Sequence, residues 1–297
     1  MNHAPIQPPK PEIQYAMGRK FTIQSHIAPA PTRVTRGCCL NGIQEREETL
    51  ASNPVERCLR HPPLAGSRDS SEIDLEIHDL IRVGDGHNAQ LLLVDKLVAK
   101  VYDPLYFDDD DGYIDVFACV DEHYTHEVHA YHVLAEFQGN SIPRFYGSFS
   151  LDIPCEGSAN RVSMRQVSAT RYPQATRQQI MKIVVVFESS VHEKDIALTD
   201  LSLRNVMISD HVDDVNRGLV FVDFGGAIFG RRLDEPVLPG VNLFLGQYVS
   251  SLLRWKSDIT MQFMEWVDWE WLSWMEGEFG DTAASITDEM RGLYCQE

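Results

Sequence analysis

Two short strings near the middle of the chain hold the residues best suited to chemistry: TDLSLRN, Thr199 to Asn205, and VFVDFGG, Val220 to Gly226. Each sets an aspartate beside a short apolar run. That places acidic groups on loops at strand ends, where they can meet a metal-bound phosphate. Asp200 is of a type that can orient an attacking hydroxyl and accept its proton, and Asn205, five residues on, can give a neutral oxygen to a cation. Asp223 ends an apolar strand, and the glycines after Phe224 permit a sharp backbone turn, a setting that suits a Mg²⁺ ligand. Aspartate is also a common turn and capping residue, so each position taken alone fits an ordinary loop equally well.

Two further groups could handle a phosphate. Gly84 and Gly86 lie in the turn Gly84-Asp85-Gly86-His87-Asn88-Ala89. Glycines there let the backbone approach phosphate oxygens without a Cβ clash and let N–H groups point inward, although a plain hairpin needs no ligand. Lys100 is flanked by Val98, Ala99 and Val101 on a strand expected to be well covered. A lysine is seldom buried without a partner. Glu127 on the following helix is the natural one, because Tyr131 and Ala135 share its face at four-residue spacing. A Lys100–Glu127 contact is therefore expected; the plain alternative is a lysine on the solvent face.

These residues need elements to position them. Prolines at 5, 8, 9, 11, 29, 31, 54, 62 and 63 interrupt any periodic run in residues 1–71. That stretch reads as a poorly ordered extension with at most a short helix over Glu45 to Leu50, and structure is expected to start near Glu72. Leu80–Val83, Gln90–Val94 and Leu97–Tyr102 read as three strands of an antiparallel meander. Glu122 to Phe137 reads as a helix, and Arg144 to Phe149 as a further strand. In Ala175 to Glu193 the apolar positions Ile180, Ile183, Val184, Phe187 and Val191 form a helical stripe, although the run Ile183 to Phe187 would also suit a strand. Asn205–Ile208 and Leu219–Val222 follow as short strands. The tail holds Trp255, Trp266, Trp269, Trp271 and Trp274, whose expected role is packing.

Bulk properties bound the answer. The chain has 297 residues, 43% of them apolar and 24% charged, as expected of a globular protein. A net charge of -18 argues against a general nucleic-acid or anionic-membrane surface. Any phosphate site must then be made locally. Cysteines at 38, 39, 58, 119, 155 and 295 include no C-x-x-C pair and no zinc-like spacing, so reduced thiols are expected. No apolar stretch approaches a membrane span and residues 1–12 lack a signal-peptide apolar core, so an intracellular, cytoplasmic protein is expected.

The order of the motifs is more specific than any one of them. A Gly-rich turn, a strand lysine, a helical glutamate, Asp-x-x-x-x-Asn and Asp-Phe-Gly occur once each and in sequence. From about Leu80 to Gly226 the chain resembles the protein-kinase-like superfamily. The strings VGDGHNAQ, VAKVYDP and DLSLRN look like the kinase-like proteins abundant in filamentous fungi. The resemblance implies an α+β, two-lobed kinase-like fold, with an N-terminal lobe over 72–154, a short C-terminal lobe over 155–297, and ATP and Mg²⁺ as cofactors. By matching position, Gly84 and Gly86 would cover phosphates and Lys100 would contact them while paired with Glu127. Asp200 would be the catalytic base, and Asn205 and Asp223 would hold Mg²⁺.

The chain departs from that pattern at defined places. Leu198-Thr199 stands where His-Arg is usual, and Ser202 stands where a lysine is usual, which removes a positive charge beside the transferring phosphoryl group. Residues 152–164 contain no apolar run long enough for the fifth strand and adenine-binding hinge, so that element is expected to be missing. No Ala-Pro-Glu follows Gly226. Three functions follow: an ATP-dependent phosphotransferase acting on a protein Ser/Thr or small-molecule hydroxyl; a catalytically impaired pseudokinase that binds nucleotide or partners; and a regulatory interaction module. A monomer is expected, with no nucleic-acid or membrane partner.

Overall fold

A computed structural model of the chain describes residues 9–32, 42–107, 114–152, 172–208, 218–229, 245–255, 263 and 265–294. The protein is α+β. It divides into two compact units, Met1–Val128 with Tyr146–Arg165, and His129–Phe145 with Gln166–Glu297. Among the described residues no helix is long and apolar enough to cross a membrane.

The first unit is built on a five-stranded antiparallel sheet: β1 (Lys20–Ile27), β2 (Ser67–Arg82), β3 (Gln90–Val94), β4 (Leu97–Val101) and β5 (Phe149–Leu151), in the order β4-β3-β2-β1-β5. The meander is as expected, and Asp95 takes the positive φ of 49° that its tight turn requires. β2 is far longer than the expected Leu80–Val83. Its first part pairs with β1 and its last part with β3, and register shifts between Ile77 and Asp79 and between Leu80 and Arg82 let one strand serve both. Tyr15, Phe21, Ile77, Val83, Leu92, Val94 and Tyr106 form the core of this unit.

The expectation of a poorly ordered extension over 1–71 fails for its described residues. β1 buries Phe21 and Ile23 at alternate positions, and Tyr15 is a core residue whose hydroxyl donates to Asp103 Oδ2 at 2.7 Å. Two helices follow, α1 (Gly42–Ala51) and α2 (Pro54–Arg60), the second capped by the Asn53 side chain. A buried ion pair joins them, Arg57 to Glu45 at 3.0 Å, and the Arg57 guanidinium lies 5.3 Å from the Phe117 ring centroid. Prolines here punctuate real elements rather than marking their absence.

Helix α3 (Val116–Val133) starts six residues before the expected Glu122. Asp115 explains the shift, since its carboxylate accepts from the N–H groups of Phe117 and Ala118 and so caps the helix. A short 3₁₀ turn, Ala135–Phe137, completes the expected helical span. The strand expected over Arg144 to Phe149 begins only at Phe149. Residues 153–171 lie outside the described set, and with them most of the stretch expected to lack a hinge; the four consecutive aspartates at 108–111 of the sequence lie outside it too.

In the second unit, the stripe seen in the sequence becomes α4 (Gln174–Glu193), which disposes of the strand alternative for Ile183 to Phe187. Ile180, Met181, Val184, Val185, Phe187 and Val191 are buried, while Val186 faces outward. Against this face pack two short ladders: β6 (Ile196–Leu198) with β9 (Ala227–Phe229), and β7 (Val206–Ile208) with β8 (Leu219–Phe221). Phe187 and Phe221 stack with centroids 3.8 Å apart. Among the described residues three further helices follow, α5 (Ser251–Arg254), α6 (Trp271–Phe279), which carries Trp271 and Trp274, and α7 (Asp288–Tyr294), whose Met290 packs with Val249 and Leu253. Trp255, Trp266 and Trp271 are buried, and Trp271 Nε1 donates to the Trp255 carbonyl at 3.0 Å. The tryptophans thus pack the core, as their type suggested.

Two predictions follow from packing and charge. Glu188 is buried on α4, pairs with Arg254 and accepts from Trp255 Nε1 at 3.0 Å. Glu188→Ala leaves that guanidinium and indole without their acceptor and should cost about 3–5 kcal/mol in chemical denaturation. Asp121 on α3 has its pKa pushed up to about 6, first by burial and then by Asp115. Its folded form therefore holds a proton more tightly than its unfolded form, so stability falls as pH rises from about 4 to 6. Asp121→Asn should stabilise at pH 7 by about 1 kcal/mol, the size expected for a half-exposed group, and the gain should vanish near pH 4. Denaturation of both proteins across this range measures the difference.

Candidate functional site

The candidate residues fall into two sets, one in each unit. In the first unit, β4 carries Lys100 opposite Leu91 of β3, and α3 carries Glu127. Lys100 Nζ lies 2.5 Å from Glu127 Oε2, the contact the sequence predicts. Tyr102, two residues along from Lys100, donates its hydroxyl to the same oxygen, and the ammonium stands 5.1 Å from the Tyr102 ring centroid. Glu127 is buried, so the cation and the phenol together supply what burial takes from its carboxylate. Tyr102 is a residue sequence reasoning missed. Its only signal was its place on the same face of the strand as Lys100, two positions away.

Helix α3 is itself held. Thr125 and His126, adjacent to Glu127, are buried. Thr125 Oγ1 accepts from the Thr32 N–H at 3.2 Å, and His126 Nε2 contacts the Thr32 carbonyl at 2.7 Å. One position before them, Tyr124 meets His26 Nδ1 at 2.6 Å. The carboxylate thus projects from a helix fixed by residues that precede the strand meander.

The glycine turn differs from its expected arrangement. Gly86 takes a positive φ of 76° in open space, as a glycine permits. The amides, however, are engaged within the protein. Gly84 N–H donates to Gln90 Oε1 at 2.8 Å, and Gln90 Nε2 returns a bond to the Gly84 carbonyl at 2.9 Å, with Gln90 fully buried. Gly86 and His87 N–H both donate to the Tyr106 carbonyl, at 3.1 and 3.3 Å. Phosphate donation by Gly84 and Gly86 is therefore not the state of this turn.

In the second unit the structure brings Asp200, Asn205 and Asp223 together. With Thr199, Phe224 and Gly226 they line one small, open depression. Asp200 follows β6, Asn205 closes a 3₁₀ turn over Leu203–Asn205, and Asp223 follows β8. Backbone bonds lock the loops: Val222 N–H to the Asn205 carbonyl at 2.9 Å, and Asn205 N–H to the Ser202 carbonyl at 2.9 Å. Thr199 Oγ1 donates to the Gly226 carbonyl at 2.6 Å. Thr199, read in the sequence only as the loss of an arginine, thus ties the Asp200 loop to the Asp-Phe-Gly turn. Phe224 is buried and meets the Tyr131 ring edge-on at 5.4 Å.

The polar groups are oriented. Asn205 Nδ2 donates to the Asp200 carbonyl at 2.9 Å and to Asp200 Oδ2 at 3.2 Å, so Oδ1 is the amide's remaining acceptor. Arg204 pairs with Asp200 Oδ1, and that bond is the main reason its own pKa is raised. Arg204 is the second functional residue the sequence reading passed over, although an Asp–Arg spacing of four was its signal. Asp223 sits at a φ of 68°, a left-handed conformation uncommon for a residue with a side chain. Among the described residues no cluster of three or more His, Cys, Asp or Glu forms a cage for a metal. One amide oxygen and one carboxylate fit instead a hard cation such as Mg²⁺, which takes few protein ligands and completes its shell with phosphate oxygens and water.

No protein-family model matches the chain, and no curated protein matches it.

Because Thr199 Oγ1 makes the side-chain tie between the two loops, Thr199→Val should destabilise the second unit by about 1 kcal/mol. Hydrogen exchange should then rise across residues 222–227 while α4 stays protected.

Proposed function

We propose that the chain is an ATP-dependent phosphotransferase with a truncated, two-lobed protein-kinase-like fold, which transfers the γ-phosphoryl group to a hydroxyl. The observation that carries this reading is the convergence of Asp200, Asn205 and Asp223 on one pocket, held by backbone bonds between their loops. The Lys100–Glu127 pair supports it independently. Lys100 would contact nucleotide phosphates, with Glu127 and Tyr102 holding its ammonium in place. Asn205 Oδ1 and the Asp223 carboxylate would hold Mg²⁺, which when bound neutralises charge on the phosphates.

Asp200 would orient the acceptor hydroxyl and take its proton as the oxygen–phosphorus bond forms and ADP leaves. Arg204 adds a cation beside Asp200, the charge that Ser202 does not provide. The acceptor would be a protein Ser/Thr or a small-molecule alcohol, with no role for nucleic acid or membrane. The same Arg204–Asp200 pair favours a second reading, a nucleotide-binding pseudokinase, because the guanidinium occupies the carboxylate oxygen that would otherwise meet the acceptor hydroxyl.

Calorimetric melting with Mg²⁺-ATP tests nucleotide binding. A ligand at about 100 times its Kd should stabilise by about 2.7 kcal/mol. No shift at millimolar nucleotide would sink both readings and leave an interaction module. Phosphate release and transfer by wild type against Asp200→Asn then separates the two. A loss of about 10²-fold or more is expected for the enzyme, and equal residual rates point to the pseudokinase.

A further inference from the structure

The chain preceding β1 does more than pack. Lys10 Nζ lies 2.7 Å from Asp85 Oδ1, inside the glycine turn. The carbonyls of Pro11 and Glu12, the next two residues, accept from the buried Tyr106 hydroxyl at 3.0 and 2.8 Å. The backbone carbonyl of this same Tyr106 takes the N–H groups of Gly86 and His87. Tyr15 then anchors the segment by donating to Asp103, whose carboxylate also caps the short 3₁₀ turn Pro104–Tyr106 by accepting from the Leu105 N–H. One strap of six residues therefore grips the glycine turn from two sides, by an ion pair at its tip and through Tyr106 at its base.

We propose that residues 10–15 are an autoinhibitory strap that holds the Gly84–His87 turn with its amides facing inward, and that the Lys10–Asp85 ion pair is its releasable latch. The inference rests on the nucleotide reading given above, because it names how that ligand's access to the turn is controlled. The latch is the weak link by its setting: the Asp85 side chain is 59% exposed, whereas Tyr15 and Tyr106 are core residues. Opening it frees the Gly86 and His87 amides to turn outward, where N–H groups in a glycine turn can cradle an anion.

Lys10→Met and Asp85→Asn both break the latch but change the local charge in opposite senses. A simple electrostatic role would make Lys10→Met weaken and Asp85→Asn strengthen nucleotide binding. Release of a strap makes both strengthen it. Hydrogen exchange over residues 83–90 and the Kd for Mg²⁺-ATP are measured for each full-length protein, with melting to verify folding. Each variant should exchange faster and bind about two- to fivefold tighter, the factor matching a partly exposed ion pair. The exchanged pair, Lys10→Asp with Asp85→Lys, should restore both values.

Unchanged exchange in the exposed-site variant Asp85→Asn would overturn the latch. So would opposite shifts in Kd for the two variants, or a wild-type Kd that neither changes. Absence of nucleotide binding in every protein would overturn the phosphotransferase and pseudokinase readings together with the strap's inhibitory role, while the exchange data would still decide whether the latch restrains the turn.

Discussion

Backbone hydrogen bonds between short ladders hold Asp200, Asn205 and Asp223 in one place, and the chemistry proposed for them depends on that restraint. β6 pairs with β9 and β7 with β8, so the loop after β6 and the turn before β9 share a frame. Val222 N–H on the Asn205 carbonyl closes the frame between the two loops. Beneath it lies the buried face of α4, where Phe187 stacks on Phe221. A non-glycine residue at positive φ costs on the order of 1–3 kcal/mol, and Asp223 persists there because the ladders on either side over-determine it.

The first unit solves a different problem, that of keeping a charged lysine and glutamate under cover. Lys100 and Tyr102 converge on one oxygen of Glu127, while Thr125 and His126 tie the helix to Thr32. The pair is local on the sheet side, where two alternate strand positions suffice. On the helix side it draws on residues almost a hundred positions earlier. The segment before the meander is for this reason part of the machinery that orients Glu127.

Where local pattern determined structure, the sequence was readable. β3, β4 and α4 fall where alternation and the helical stripe put them, and the Lys100–Glu127 contact follows from the cost of burying a lone ammonium. β6 and β9 were not read in the sequence, although β7 and β8, which were, are just as short; each is a strand only through pairing with a segment farther along the chain than the one that joins β7 to β8. β1 was missed because neighbouring prolines suggested disorder, whereas its pairing with β2 and β5 is non-local. The glycine turn was legible as a turn but not as an occupied one: the Gln90 side chain and Tyr106 carbonyl that take its amides are placed by tertiary packing. Thr199 was compared only with the arginine usual at its place and Arg204 was passed over, so the contacts each makes itself, with the Gly226 carbonyl and the Asp200 carboxylate, stayed hidden.

The placement of the tryptophans carries a last consequence. All five lie between positions 255 and 274, within the second unit, and Trp255 is almost fully enclosed with its indole N–H on Glu188. Indole emission is therefore a private signal of that unit, quenched or shifted as its core opens. The first unit, with its sheet and the Lys100–Glu127 pair, is dark at that wavelength. A melting curve followed by intrinsic fluorescence alone would trace half of the molecule, and its disagreement with a far-ultraviolet dichroism curve would measure how independently the two units unfold.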